Sequence, residues 1–488
     1  MDKSAGDNFF YRFRSTNALL DGFHELENQE IYFASPQELN DPLEGFKNLF
    51  WKGDEILWRN LLNHYLVCLM HTVFLAHLTG PDQDSDKDRS FVFSNAESLP
   101  TPPMRELYGR ICEIFFGYKD IAQIPALLST RNSLIRRNEL TSYLRAFHLC
   151  AVDSVLTAME EHHLMPPRKG DDPLRIASGS TSQCKDLVKV LSNLELEQPD
   201  RPDIADDIAN TLELTWREMN LVNQCKGLTL RGGPAWQTIV CEFPRRYVSQ
   251  LEQLLYPDWY TACFVESPMH AAMWGTYGDG HKGVCLKLKA YDNKEGKPAI
   301  KLSRVDGSHG SEDVSVPSYE DAEHAFCEVK YEVRFVDLDF FRSLGRLTKP
   351  MLNHWWKDAT GDISRYVSDI LSEPADWRKQ YWDSFTGTMT TKHRDWAYER
   401  EYRLTIDDSF YSFTEPSTRR LKYHFEDLQG LIFGMETAIT DQVKIWRIIR
   451  AKCEQTGRKD FEFYQAQYSS SAGKLAIAKL GMLEFNMT

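Results

Sequence analysis

The chain has 488 residues, a formal net charge of -14 and a hydrophobic content of 42%. This length exceeds one ordinary core, so two or three structural units are expected, and the apolar content excludes a disordered protein. The net negative charge argues against a protein that coats nucleic acid non-specifically, although a local basic groove is compatible with it.

The sequence predicts a cytoplasmic protein. The amino terminus lacks the apolar run of a secretory signal, and the ten cysteines are scattered without a Cys-x-x-Cys pair. The most apolar stretch, residues 61–78, contains Asn63, His64, His71 and His77, which are costly in lipid. We therefore expect a buried helix there, free thiols in a reducing compartment and no membrane partner.

Residues 9–46 show the pattern of a strand, a helix, a second strand and a turn. Aromatic residues at 11–13 and the apolar run at 31–34 predict the strands, and 18–26 has helical spacing. Asn40 and Asp41 precede a proline, which is a turn signal, and their local role would be to cap that turn.

Residues 51–235 are predicted to be mainly helical. Apolar residues recur at helical spacing over 57–78, 104–116, 121–128, 134–162, 184–196 and 204–223. Polar, proline-bearing breaks separate these runs. The block is therefore interpreted as an insertion or cap that could bind a partner protein.

Strand patterns return at 236–243, 261–266, 283–289, 326–335, 401–406 and 428–433. A helix at 438–453 and a strand at 461–468 follow. Because the strands do not alternate regularly with helices, they indicate a mixed or antiparallel sheet and not a Rossmann fold. The predicted class is α+β. Its sheet domain is built from residues 9–46 and 236–468, the insertion covers 51–235, and 469–488 form a C-terminal extension.

The segment from Trp274 to Gly283 contains four glycines, which would permit a tight turn with positive φ. Trp274 or Tyr277 could stack on a ligand ring there, and His281 could donate or relay a proton. In the structural alternative, the aromatic side chains pack a helix on the sheet and His281 bonds a turn carbonyl.

Charged residues at strand positions form the second set of candidates. Glu401 and Arg403 share one strand face, where they could serve catalysis or form a cross-strand ion pair. Arg12 and Arg14 share a face of the first strand and are suited to bidentate binding of phosphate or carboxylate. Glu44, just after the turn, could approach the same site.

A metal site was considered for His64, Cys68 and His71, which the spacing places on one helical face. The segment is otherwise apolar, so buried core residues are the preferred interpretation. No metal is expected.

Eight short motifs follow one another along the chain, at residues 11–15, 31–36, 40–44, 263–264, 273–277, 281–285, 396–403 and 428–434. Together they resemble the family catalogued as domain of unknown function 2971. The resemblance covers about residues 9–46 and 236–452 and leaves the helical block without a counterpart. The family is mostly microbial and its members sometimes lie beside defence genes, so the resemblance implies a microbial effector.

A looser similarity involves a basic residue on the first strand, a Tyr-Phe-Ala-Ser step on the second and a glutamate on a late strand. This arrangement resembles the three-part signature of ADP-ribosyltransferases, which implies NAD as substrate. In that superfamily the first position anchors the nicotinamide ribose, the second stacks on the ring, and the glutamate bonds the ribose hydroxyl and orients the acceptor. Carried over, the roles fall to Arg12 or Arg14, Tyr32 or Ser35, and Glu401 or Glu399.

The expected function is that of a cytoplasmic effector, in antiviral defence, that uses NAD as an ADP-ribose donor or hydrolyses it. The candidate catalytic residues are Glu401, Tyr32 and His281. The candidate substrate-binding residues are Arg12, Arg14, Ser35, Asn40, Asp41, Trp274, Tyr277 and Arg403. Two alternatives stay open: a nuclease or other nucleic-acid-acting enzyme using His281 with Asp279 or Glu401, and a non-catalytic sensor of a nucleotide or partner. The acceptor, a protein or a nucleic acid, stays open as well.

Overall fold

The computed structural model describes residues 8–80, 91–169, 172, 174–175, 182–198, 200–201, 203–227, 233–311 and 314–483. The chain divides into two compact units. The sheet unit comprises Met1–Phe46, Pro257–Phe335 and Thr386–Thr488. The helical unit comprises Lys47–Tyr256 and Val336–Phe385.

The bounds of the strands and helices are as follows. The strands are β1 (Asn8–Arg14), β2 (Glu30–Tyr32), β3 (Asn48–Trp51), β4 (Ile135–Arg136), β5 (Trp259–Val265), β6 (Val284–Asp292), β7 (Pro298–Ser311), β8 (Val314–Ala325), β9 (Cys327–Glu328), β10 (Lys330–Glu332), β11 (Asp337–Asp339), β12 (Thr391–His393), β13 (Glu401–Asp407), β14 (Arg420–Tyr423), β15 (Leu428–Phe433), β16 (Glu462–Ser469) and β17 (Lys474–Lys479). The α-helices of the described residues are Glu25–Asn28, Glu55–Thr79, Pro102–Gly117, Lys119–Ala122, Ile124–Ser129, Arg137–Glu161, Ser182–Glu197, Ile204–Cys225, Gly233–Gln237, Phe243–Gln250, Ala271–Thr276, Lys349–Trp356, Ser368–Ser372, Pro374–Thr390 and Ile439–Thr456. Short π or 3₁₀ turns lie at Ala18–Gly22, Pro36–Glu38, Thr238–Glu242, Leu251–Leu254, Arg394–Glu399, Pro416–Arg419 and Phe425–Asp427.

The sheet unit is built around the strand order β17-β16-β15-β6-β1-β5-β13-β9. All neighbours in this row are antiparallel except β15 and β16, which are parallel. β1 lies between β6 and β5, and its Phe10 joins the hydrophobic core with Leu288 of β6 and Phe264 of β5. Because side chains alternate along a strand, Arg12 shares the Phe10 face of β1, whereas Phe13 lies on the opposite face and packs in a second cluster with Val265 of β5. The predicted α+β class and its mixed, mostly antiparallel sheet are confirmed.

The glycine-rich segment links the helix Ala271–Thr276 to β6. Asp279, Gly280 and His281 form its turn with consecutive positive φ angles of 51°, 61° and 67°. Of the four glycines expected to supply that conformation, only Gly280 has it. Gly283 is required for space, because a Cβ there would press on the carbonyl oxygen of Arg14 and lie 2.8 Å from that of Gly278.

The helical unit is organised around two long helices, Glu55–Thr79 and Arg137–Glu161, whose side chains are mostly buried. Where residues 51–235 are described, their predicted helical character is confirmed, apart from the short strands β3 and β4. Among the described residues, only Glu55–Thr79 is long and apolar enough to cross a membrane. In its most apolar window 61% is buried, so the buried helix predicted at residues 61–78 is observed.

The strand predicted at residues 236–243 is wrong. The segment is helical, passing from Gly233–Gln237 through a π turn, Thr238–Glu242, into Phe243–Gln250. The carbonyl of Ile239 accepts a hydrogen bond from His148 Nε2 at 2.6 Å, and Phe243 stacks on the His148 ring at 5.9 Å. Packing against a neighbouring helix therefore overrides the strand preference of these β-branched residues.

The compact units have different bounds from the expected domains. Residues 236–256, expected in the sheet domain, belong to the helical unit, and so do residues 336–385. Within the expected extension 469–488, Lys474–Lys479 forms β17 and pairs with β16, so the sheet continues past residue 468. The long hairpin of β7 and β8 was not anticipated.

Candidate functional site

A cavity of about 410 Å³ in the sheet unit is lined by residues of β1, β5 and β13. Its volume lies in the range of roughly 300–1,000 Å³ that is typical of small-molecule sites. Asn40 and Glu44, after the amino-terminal turn, line it together with Thr276 and Tyr277 of the distant glycine-rich segment. Two segments that are distant in the sequence therefore border the same cavity.

The strand register brings the polar residues of β13 to this cavity. Glu401 pairs with Val265 and Arg403 with Cys263 of β5. Leu404, on the opposite face of β13, lies in the hydrophobic core. Because the side-chain period of a strand is two, Glu401 and Arg403 share the cavity face, as the sequence predicted.

Arg403 is the fully buried centre of an ion-pair network. Its Nε donates to Glu401 Oε1 at 2.7 Å, and its Nη1 and Nη2 donate to the two oxygens of Glu44 at 2.7 and 2.9 Å. Nη1 also donates to the carbonyl of Met389 at 2.7 Å. With every nitrogen engaged, the Arg403 guanidinium holds two carboxylates in fixed positions.

A second cation, Lys392, extends the network to Glu399. Lys392 Nζ donates to Glu399 Oε2 at 2.7 Å and to Glu401 Oε2 at 3.3 Å. The Tyr277 hydroxyl donates to Glu399 Oε1 at 2.7 Å. Lys392, Glu399 and Glu401 are all buried. The site therefore contains a continuous chain of hydrogen-bonded charges.

The two glutamates differ in proton affinity. Burial raises the pKa of Glu401, but the charge and hydrogen bonds of Arg403 and the charge of Lys392 outweigh it and lower that pKa to about 2. For Glu399, burial dominates and raises the pKa, although Lys392 and Tyr277 oppose it. Burial and the hydrogen bond to Glu399 also raise the pKa of Tyr277. Glu401 is thus a fixed anion, whereas Glu399 takes up a proton more readily.

Arg12 reaches the cavity from β1 and is only partly satisfied. It is buried, with 6% of its surface exposed, and its Nη2 donates to the carbonyl of Tyr32 at 2.8 Å. Its Nη1 has no hydrogen-bond partner among the described residues. Burial and the nearby Arg14 lower the pKa of Arg12 to about 10. An unpaired buried guanidinium nitrogen is costly, and an anionic ligand group would satisfy it.

Two other predicted residues, Arg14 and Tyr32, line the cavity but are already engaged. Arg14 forms a bidentate ion pair with Glu25. The Tyr32 hydroxyl donates to Glu38 Oε1 at 2.9 Å, while its backbone carbonyl accepts from Arg12. Glu38 also lines the cavity.

Ser35 and Asp41 lie outside the cavity lining, whereas Asn40 belongs to it. The hydroxyl and backbone N–H of Ser35 both donate to Glu38 Oε2, at 2.9 and 2.7 Å, which caps the following turn. Asp41 Oδ1 accepts from the backbone N–H of Leu43 at 2.9 Å. Asp41 therefore has the local capping role that its turn signal indicates.

Trp274 and His281 also lie outside the cavity lining. Trp274 is fully buried, with its Nε1 donating to the Pro268 carbonyl at 2.8 Å and its ring edge-on to Phe13. The His281 ring stacks over Trp274 at 6.4 Å, and within the described part of the chain its Nδ1 has no hydrogen-bond partner. The predicted roles of ring stacking and proton transfer are therefore not supported, since both rings pack in the turn.

The sequence pattern does not indicate Lys392, and it indicates Glu44 and Glu399 only weakly. Nothing local marks Lys392, which lies in the three-residue strand β12 and follows a helix. The 3₁₀ turn Arg394–Glu399 reverses the chain and brings the lysine to both glutamates. Such a fold-back has no periodic signature, so only the tertiary structure brings these residues together.

The described residues include no group of three or more His, Cys, Asp or Glu placed to hold a metal ion. At the position considered from the sequence, His64 Nδ1 lies 2.8 Å from the Tyr247 hydroxyl and Nε2 lies 2.7 Å from the Val92 carbonyl. His71 stacks on Phe91 at 4.9 Å. Both histidines thus have packing roles in the helical unit.

Comparison with known proteins gives one family match. Residues 273–404 match the model of the family described as "Protein of unknown function (DUF2971)". This span contains the glycine-rich segment, Lys392, Glu399 and Glu401. No curated protein and no solved structure matches the chain. The family resemblance is thus supported over these residues, whereas none of the comparisons supports the similarity to ADP-ribosyltransferases.

Proposed function

We propose that this cavity binds NAD and that the protein cleaves the nicotinamide–ribose bond, passing ADP-ribose to an acceptor or to water. The observation that carries the proposal is the convergence of Arg12, Tyr32 and Glu401 on one cavity. The resemblance to ADP-ribosyltransferases gives Arg12 the role of ribose anchoring and Tyr32 that of ring stacking. It gives Glu401 the role of bonding the ribose hydroxyl and orienting the acceptor.

The charges of the cavity are complementary to those of oxidised NAD, which has a cationic nicotinamide ring and two anionic phosphates. Arg12 offers an anionic group a buried nitrogen that has no partner in the part of the chain that the structure describes. The network beneath the cavity has three carboxylates and two cations: Glu44, Glu399, Glu401, Arg403 and Lys392. The surplus of one carboxylate favours a cationic group on that side.

The same residues can support the bond-breaking step. When the bond from the ribose C1′ to the nicotinamide nitrogen breaks, its electron pair neutralises the ring and leaves positive charge on the ribose. The fixed negative charge of Glu401 would stabilise that oxocarbenium-like state. The acceptor oxygen or nitrogen then forms the new bond to C1′, and its proton passes to Glu399, whose pKa is raised by burial.

Substitution of Glu401 by Gln tests the proposal. Purified wild-type protein is expected to release nicotinamide from NAD, with transfer of labelled ADP-ribose measured in cell extract. Glu401→Gln should lower turnover by roughly 100-fold or more, about 3 kcal/mol of barrier, because the stabilising charge is lost.

A matched control is Glu213→Gln. Glu213 is also buried and forms a bidentate ion pair with Arg145, at 2.7 and 3.1 Å, but it belongs to the helical unit and does not line the cavity. Turnover should be unchanged in this variant. Equal activity of Glu401→Gln and wild type would contradict the proposal.

We propose a cytoplasmic effector of antiviral defence as the cellular role, following the resemblance. Expression of the wild-type protein in bacteria is expected to slow growth and deplete NAD, and Glu401→Gln should do neither. Growth arrest without NAD loss in both proteins would exclude NAD consumption as its cause. This cellular assay also covers an enzyme that needs a trigger absent from the purified system.

One observation favours a second function, that of a nucleotide sensor without turnover. Both oxygens of Glu401 already accept hydrogen bonds from Arg403 and Lys392, so the carboxylate is committed to the fold. In a sensor, titration calorimetry would detect NAD or ADP-ribose binding to wild type, and no nicotinamide would be released in vitro or in cells.

A further inference from the structure

Lys392 occupies an unusual position in the network. Only 5% of its side chain is exposed, and its ammonium bridges Glu399 and Glu401 at 2.7 and 3.3 Å. The parallel pairing of β12 with β10 fixes its backbone, and its Nζ lies 4.7 Å from the centre of the Trp396 ring. A buried lysine with two carboxylate partners is strongly held in its charged form.

The neighbouring groups leave Lys392 with a distinct task. Arg403 binds Glu44 and Glu401 but not Glu399. Within the described residues, Lys392 is thus the one cation that hydrogen-bonds Glu399. The other titratable groups that interact with this cluster are Cys263, Tyr277, Tyr331 and Tyr398. These four are neutral at physiological pH, since burial raises the pKa of each.

We propose that Lys392 is a positioning residue that holds Glu399 and Glu401 together at the cavity and thereby sets the lower pH limit at which the site works. The inference rests on the proposed NAD chemistry. Removal of the ammonium would leave two buried carboxylates side by side, and like charges this close cannot both stay ionised at low cost. One of them would then take up a proton at a higher pH than in the wild-type protein.

The test measures NAD turnover against pH for Lys392→Met, Lys392→Arg and a control. In Lys392→Met the acid limb of the profile should move up by roughly 1–3 pH units, which is the effect of an opposite charge at this distance. At neutral pH, kcat should fall about tenfold or more with KM changed less than about threefold, because positioning acts on the transition state. Lys392→Arg retains the charge, so the pH of its acid limb should lie close to that of the wild-type protein.

The matched control is Lys287→Met. Lys287 Nζ likewise bonds a carboxylate, Glu462, at 3.2 Å and lies 4.4 Å from the centre of the Phe9 ring, but it does not line the cavity. Its loss should leave the acid limb in place. The inference would be overturned if the acid limb of Lys392→Met were unshifted. It would also be overturned if the acid limb of Lys392→Arg were shifted as far as that of Lys392→Met.

Two further measurements separate this inference from the proposed function. Absence of NAD turnover by wild type, in vitro and in cells, would reject the proposed function. The role of Lys392 is then decided by denaturant unfolding at a series of pH values. The free energy of unfolding of Lys392→Met should fall less steeply with decreasing pH than that of the wild-type protein, because the folded variant already binds the extra proton, and an unchanged slope would overturn the inference. If Lys392→Met does not fold, Lys392→Gln replaces it, since it keeps a donor without the charge.

Discussion

At the scale of single residues, two buried arginines of the sheet unit differ in how they are satisfied. Arg403 uses every guanidinium nitrogen within the protein, on two carboxylates and a carbonyl. Arg12 makes one hydrogen bond to the protein, to Tyr32, and its Nη1 is left unpaired among the described residues. Both arginines line the cavity, but their roles differ. Arg403 holds the site together, whereas Arg12 is available to a ligand.

This difference predicts opposite effects of two Arg→Met substitutions. Arg12→Met should weaken binding of NAD or ADP-ribose tenfold or more, about 1.4 kcal/mol, with little loss of stability, because it removes a poorly compensated buried charge. Arg403→Met should cost about 3–5 kcal/mol of stability, because Glu44 and Glu401 would remain buried without their partner. Calorimetric binding and denaturant unfolding measure the two effects, and a large loss of stability in Arg12→Met would contradict this assignment.

At the scale of elements, the glycine-rich segment needs glycine for two reasons. One is the positive φ angle of its turn, and the other is close packing that leaves no room for a side chain. The positive φ angles at Asp279 and His281 are adopted by residues that have side chains, next to Gly280. Gly283 is packed against the backbone of β1 and of the turn itself. The turn therefore holds the helix Ala271–Thr276, which carries Met273 and Thr276 to the cavity, close to β1.

Two glycines of this segment form a matched pair for a stability test. Gly283→Ala should lower the free energy of unfolding by about 1–3 kcal/mol, because the new methyl group would overlap the Arg14 carbonyl oxygen. Gly275→Ala has nothing within 4 Å of the new methyl group and lies in a helix, so it should be neutral or stabilising by up to about 1 kcal/mol. Thermal or denaturant unfolding measures both, and equal effects would contradict the packing argument.

At the scale of the whole molecule, both units bury ion pairs, such as Arg403–Glu44 in the sheet unit and Arg131–Glu139 in the helical unit. The helical unit also buries neutral histidines among aromatic rings. His148 is one of these histidines: its Nδ1 lies 2.7 Å from the Tyr65 hydroxyl and its Nε2 bonds the Ile239 carbonyl at 2.6 Å. Burial lowers its pKa to about 4.

The buried His148 predicts an acid-sensitive helical unit. In the unfolded chain a histidine takes up a proton near pH 6.5, but the folded chain resists protonation until about pH 4. The unfolded state thus binds more protons between these values, and stability falls as pH drops from about 6.5 through 4, on the order of 3 kcal/mol in total. His148→Gln should flatten this slope in unfolding followed at 222 nm, with curves parallel to wild type between pH 7 and 9. An unchanged slope would refute the assignment.

Local patterns in the sequence predicted much of this protein. The alternation of residues along β13 placed Glu401 and Arg403 on one face, and the aromatic run of β1 predicted the strand that carries Arg12. Helical spacing identified Glu55–Thr79 and Arg137–Glu161. These predictions succeeded because periods of 2 and 3.6 residues follow from the backbone of a single element and depend little on what packs against it.

The tertiary structure alone decided how those elements combine. It made residues 236–243 helical through contacts with His148, buried Trp274 in the core and turned His281 away from the cavity lining. It also brought Lys392 to Glu399 and Glu401 by a reversal of the chain. None of these outcomes has a local signal in the sequence. Each depends on partners that are distant in sequence, or on a chain reversal that no periodic pattern of residues marks. The charge network of the candidate site is therefore a property of the fold, and the sequence determined only which strand faces carry its residues.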